Sequence, residues 1–65
     1  MENKPKVGEI WETVEGFLLY VEGIESPTHR TVVVLDDAGR ELIGAGGSTA
    51  NTQFIRRIEE AEHGK

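Results

Sequence analysis

The sequence predicts an all-β fold, a small barrel of five short strands. Three observations point there. Residues 17–24 and 31–35 are dense in β-branched and aromatic side chains with period-two patterning. Asp36, Asp37, Ala38 and Gly39 form a tight-turn signal between two such runs. The chain has 65 residues, room for one domain.

The elements follow in order. Residues 7–11 read as a short first strand carrying Trp11, the one tryptophan, and Gly16 marks the turn after it. Residues 17–24 form the strongest strand. Alternation sends Phe17, Leu19 and Val21 to one side and Leu18, Tyr20, Glu22 and Ile24 to the other, so the strand is apolar on both sides at its start, as a bent barrel strand is. Residues 25–30 read as a loop around Pro27, which has no N–H to give a ladder. Residues 31–35 and 40–43 are the arms of a hairpin, with Gly39 supplying a positive φ. Residues 44–49 hold three glycines and read as a flexible loop with almost nothing to bury. A single helical turn is expected near residues 49–53. Residues 54–58 read as a last strand with Phe54, Arg56 and Ile58 on one face. A helix is opposed there by charge order, because Arg56 and Arg57 precede Glu59, Glu60 and Glu62, against the macrodipole. The domain is expected over 7–58, with flexible termini at 1–6 and an acidic, frayed 59–65. Five strands and one turn in this length describe an SH3-like barrel better than an OB-like one, which needs longer strands.

Composition narrows the chemistry. There is no cysteine, so disulfides and thiolate metal sites are excluded. His29 and His63 stand far apart, and no four-ligand zinc spacing exists. No cofactor or metal is expected. A chain this short buries about 60% of the surface its unfolded form exposes, so self-association is an open route to completing the core. The longest apolar run, residues 17–21, is too short to span a bilayer, and the polar first residues do not read as a signal peptide. A cytoplasmic location is expected. The net charge of −5 is uneven: residues 1–25 carry two lysines against six glutamates, a net of −4. Such a chain lacks the basic footprint of a nonspecific DNA binder.

The pieces Gly8-Glu9-Ile10-Trp11, Gly16, Tyr20-Val21-Glu22-Gly23-Ile24, Val32-Val33-Val34-Leu35 and Phe54-Ile55-Arg56-Arg57-Ile58 give the chain a resemblance. It resembles the small bacterial and phage SH3-like barrels, across most of residues 7–58. The glycine-rich 44–49 segment departs from their pattern. The resemblance implies a phage, bacterial or mobile-element setting and a fold, but no activity, since such folds host unrelated functions.

Several constellations have the residue types of a site. Trp11 and Tyr20 are candidates for an aromatic groove of the kind that takes proline-rich peptides. Glu9, Glu12, Glu15, Glu22 and Glu25 are candidates for one acidic face suited to a basic partner. Arg40, Arg56 and Arg57, with Arg30, are candidates for a phosphate-binding strip, although alternation puts Arg56 and Arg57 on opposite sides of a strand. The 44–49 glycines lack the lysine of a nucleotide loop. His29 with Asp36 or Asp37 and Ser26 or Ser48 has the residue types of a hydrolytic triad but nothing that fixes its geometry.

The expected function is a non-enzymatic module that binds another protein through an acidic face or an exposed sheet edge, with Trp11, Glu12, Glu15, Tyr20 and Glu22 as contact residues. One alternative is a KOW- or Tudor-like nucleic-acid barrel using Arg40, Arg56 and Arg57 on phosphate. Another is a homo-oligomeric enzyme with a shared pore, in which Gln53 beside Phe54 would matter. No membrane partner is expected.

Overall fold

Alternating apolar residues seek a common core, and in this chain they do so as one antiparallel sheet. The computed structural model describes residues 3–58. Five strands follow in sequence: β1 (Ile10–Thr13), β2 (Leu18–Ser26), β3 (His29–Leu35), β4 (Glu41–Ala50) and β5 (Phe54–Ile58), with a single 3-10 turn, Asn51–Gln53, before the last. The spatial order is β4-β3-β2-β1-β5. The all-β class, the tight turn at 36–39, the helical turn and the strand at 54–58 agree with the sequence reading, whereas of the expected hairpin arm 40–43 only Glu41 pairs with β3, through Leu35.

The closed barrel does not. β4 and β5 are the two edges, and no ladder joins them. The 3-10 turn brings their ends together in sequence, but the sheet stays open along the rest of β4.

Register decides the two faces. Trp11 pairs with Leu19, Val21 with Val32, and Thr13 with Phe54. These residues make the inner face, and Trp11, Leu19, Val21, Val32 and Phe54 form its buried core. Trp11 and Phe54 meet edge to face, with ring centroids 6.0 Å apart, a favoured aromatic geometry. On the outer face Ile10 pairs with Ile58 and Leu18 with Leu35, and these four side chains line a shallow hollow.

Bulges correct the simple alternation. Thr13 pairs with Phe54 while its neighbour Glu12 pairs with Arg56, so Ile55 is an extra residue. Phe54 therefore turns inward, opposite in sense to Arg56 and Ile58, and does not share their face as alternation predicts. A second bulge places Glu22 between Val21 and Gly23. A third is larger. Val33 pairs with Gly46 and Leu35 with Glu41, so residues 42–45 stand out opposite Val34 alone, and Ile43 is fully exposed at their tip.

The glycine-rich segment is the main departure from expectation. Residues 46–50 are not a loop but the second half of β4, paired with β3 from Val33 to His29. The partner strand supplies both ladder and side chains, so the glycines need only fit. At Gly46 the fit is compulsory: a Cβ there would lie 2.8 Å from the Val32 carbonyl oxygen. The turn at 36–39 behaves as predicted. Asp36 accepts the Ala38 and Arg40 N–H groups, and Gly39 has φ of 84°.

The N-terminal boundary also moves. The first strand begins at Ile10 rather than Val7, because residues 7 and 8 turn to bring Gly8 N–H onto the Val21 carbonyl. Within residues 3–6, read as a flexible terminus, Lys4 and Lys6 are exposed but Asn3 and Pro5 are held against the sheet. Pro5 is fully buried, and the Asn3 side chain donates to the Phe54 carbonyl. Arg30, itself buried on the inner face, holds this segment in place by donating to the carbonyls of Pro5, Ser26 and His29. The acidic tail at 59–65 lies outside the described residues. Among the described residues no helix is long and apolar enough to cross a membrane.

Candidate functional site

Each residue singled out in the sequence finds a definite place. Trp11 and Tyr20 do not meet. Trp11 pairs with Leu19 and Ile10 pairs with Tyr20, so the two rings lie on opposite faces of the sheet. Trp11 is buried, and its indole N–H donates to Glu9 at 2.9 Å. The aromatic groove is absent for a reason of parity.

The five glutamates are not gathered into one face either. Glu12 accepts two bonds from Arg56, the shorter 2.8 Å. Glu22 occupies its bulge beside Thr31, Val33 and the outstanding residues 41–45. Glu25 is exposed at the bulge between Ile24 and Ser26 near the end of β2. Glu9 turns back on its own segment: its carboxylate accepts the Lys6 N–H and the Trp11 indole N–H and faces Arg57 at 3.9 Å. Partial burial, the largest single influence, opposes its ionisation. The two hydrogen bonds and the charges of Arg57 and Lys6 together outweigh it, so its pKa lies below the usual carboxylate value.

The arginines are likewise apart. Arg56 serves Glu12, Arg57 faces Glu9 beside Trp11, and Arg40 sits in the β3–β4 turn. Arg30 is buried. No phosphate strip results. His29 opens β3 and Asp36 follows its last residue, about 23 Å away at strand rise, and His29 Nδ1 is bonded to the neighbouring Thr28 hydroxyl. No triad forms. Among the described residues no cluster of acidic or histidine side chains is placed to hold a metal.

What the fold does build is a groove that no local pattern announces. It runs between the second half of β4 and the β1–β2 turn, with a volume of about 310 Å³. Leu19, Val32 and Val34 form its floor, and Phe17 and Glu15 stand on one bank with Thr13. Phe17 lies just before β2 and is 53% exposed, so it does not join Leu19 and Val21 in the core. The other bank is backbone: Gly46, Gly47, Ser48, Thr49 and Ala50.

The phase of the ladder makes that bank chemically active. Asn51 N–H donates to the Thr28 carbonyl at 2.8 Å. In an antiparallel pair this fixes Arg30 and Thr49 as a mutually bonded pair. Gly46 and Ser48 then turn N–H and C=O away from β3, and Ala50 does so with its N–H. Among the described residues the groove is thus an apolar trough beside an unused hydrogen-bonding edge. Its size suits one or two side chains and lies at the low end for small-molecule sites. Among the described residues Glu15 is the one charged group that lines it.

The groove is not legible in the sequence, because Phe17 reads as an inward residue of strand 17–24 and Ser48 stands among glycines that read as loop. The signal available was the two-residue alternation of Ser48 and Ala50 opposite Thr31 and His29. Comparison with protein-family models, curated protein sequences and solved structures finds no match to this chain.

Proposed function

We propose that this chain is a non-enzymatic interaction module of the SH3-like small-barrel kind, and that it binds another protein by adding an extended segment of that partner to its β4 edge. The carrying observation is the open edge of residues 46–50 beside an apolar groove. Edge strands that must stay unpaired are protected by lysine, proline or inward charge. Residues 46–50 have none of these. Strand addition uses main-chain bonds for affinity and side-chain pockets for specificity, and both are present along one strand.

The return of the last strand beside the first, after one 3-10 turn, supports the SH3-like reading. The groove supports binding over catalysis, because among the described residues it is lined by one carboxylate and no second acid or base to share proton transfer. The acidic-face version loses ground, since Glu9 and Glu12 are engaged within the chain. The nucleic-acid version loses ground with the separation of Arg40, Arg56 and Arg57.

The test is selection of a displayed library of random seven-residue peptides on the wild-type protein and on Ser48→Pro. Proline removes an N–H that β3 does not use, and edge strands tolerate it. Phe17→Ser, which opens the groove without touching the ladder, is the second variant. Peptides enriched on the wild type should be lost on both. An absence of enrichment, or enrichment indifferent to both changes, would reject the reading.

A further inference from the structure

The ligand itself can be read from the edge. We infer that the segment taken by β4 is about five residues long, extended, without proline where it faces Gly46 and Ser48, with an aliphatic side chain for the groove and a lysine or arginine for Glu15. This rests on the strand-edge reading above and goes one step past it.

Length comes from the two ends of the usable edge. Before Gly46, residues 42–45 leave the ladder. After Ala50 the chain turns into Asn51–Gln53. The five residues between them span about 17 Å at antiparallel rise, so a longer ligand finds no further main-chain partners.

The exclusion of proline comes from the same edge. The carbonyls of Gly46 and Ser48 face outward and need N–H groups to meet them. A proline at either facing position supplies none. A polyproline segment would seek an aromatic ridge instead, and Trp11 and Tyr20 are on opposite faces.

The side chain follows from the floor. Leu19, Val32 and Val34 with Phe17 offer only apolar surface. Gly46 and Gly47 leave the β4 bank without side chains, so a ligand backbone can approach while one of its side chains enters the trough. A volume of about 310 Å³ accepts valine, isoleucine or leucine.

Charge selects the remaining position. Glu15 is exposed on the bank, and no cation among the described residues pairs with it. The chain as a whole carries −5. A cationic ligand is favoured both locally and at long range, and an acidic one is disfavoured.

The probes are synthetic seven-residue peptides of threonine and valine, each with one variable position scanned on either side of a central valine. Lysine, alanine, glutamate and proline occupy that position in turn, and binding is read by fluorescence anisotropy at low salt. The best lysine peptide should bind about tenfold more tightly than its glutamate counterpart. Glu15→Lys should reverse the order, and Glu15→Gln should level it. Proline should abolish binding at the positions that face the Gly46 and Ser48 carbonyls and be tolerated at the alternate ones. Binding by the alanine, lysine and glutamate peptides alike, lost on Ser48→Pro but unmoved by Glu15→Lys, would overturn the charge assignment and leave the strand-edge reading standing. Failure of all peptides would overturn both. Sedimentation over a wide concentration range completes the test. A dimer that becomes monomeric on Ser48→Pro and that lysine peptides do not dissociate would make a second copy of this chain the occupant, and would overturn the proposal.

Discussion

Arg30 Nε donates to the Pro5 carbonyl at 2.6 Å, joining residues twenty-five apart in sequence. The guanidinium is buried and, among the described residues, meets carbonyl oxygens rather than a carboxylate: Nη1 reaches Ser26 at 2.9 Å and His29 at 3.0 Å. This single side chain ties the N-terminal segment, the β2–β3 turn and the inner face together.

Arg30→Met keeps the stem and removes the donors. It should cost about 2–4 kcal/mol, since buried carbonyls then lose charged partners. Arg30→Lys should recover only part of this, because an ammonium cannot reproduce the planar fork. Urea unfolding measures both. A loss below about 1 kcal/mol for Arg30→Met would show that the segment packs without the tether.

Gly46→Ala should destabilise by about 1–3 kcal/mol, because the added Cβ meets backbone oxygen, which cannot move alone. Gly23→Ala is the control. Its Cβ would stand 3.9 Å from the Thr31 Cβ, an ordinary contact, and lower unfolded-chain entropy makes it neutral or slightly stabilising. Thermal unfolding of the two variants should therefore move in opposite directions or differ by several degrees.

Asn51 is buried, and its side-chain amide donates to the Pro27 carbonyl at 3.1 Å, while its Oδ1 has no partner among the described residues. Asn51→Ala should cost about 1–2 kcal/mol. Asn51→Asp should cost more at neutral pH, since it replaces the donor with a second acceptor and buries charge. Burial raises the introduced carboxyl's pKa, so acid should narrow the gap between the two variants. Unfolding midpoints at pH 7 and pH 4 decide it, and an unchanged gap would contradict the burial.

The lowered pKa of Glu9 has a defined pH signature. A carboxylate whose folded pKa lies below its unfolded value stabilises the fold above the unfolded value of 4.5, and that contribution is lost as pH falls through the folded pKa. Stability should decline below about pH 4.5 in the wild type. Glu9→Gln should lower stability at pH 7 and show a flatter decline in acid. Parallel acid profiles would mean that Glu9 is not ionised against Lys6, Trp11 and Arg57 as the geometry requires.

Some of the fold is legible without coordinates. Val32, Val33 and Val34 crowd their own backbone into extended chain, and Asp36 with Gly39 closes a turn that needs nothing from elsewhere. The opposed charge order after Ile58 correctly disfavours a helix at 54–58. The candidate site was not legible. Gly46 and Gly47 look alike in a loop and in a strand, because a glycine's sequence context says nothing about which partner backbone approaches it. Arg30 between two polar residues looks like surface, although it stands two residues before Val32 on the inner face.

By itself, then, the sequence determined an all-β chain with its two central strands, its hairpin turn and its final strand, since these depend on local sterics and side-chain alternation. Only the tertiary structure decided that the sheet stays open, that Ile55 is bulged so that Phe54 turns inward, that Arg30 is buried, and that the glycines lie along an unpaired edge. These depend on register, and register is set by which strands meet. One residue of slip sends a side chain to the other face, as the parting of Trp11 and Tyr20 shows.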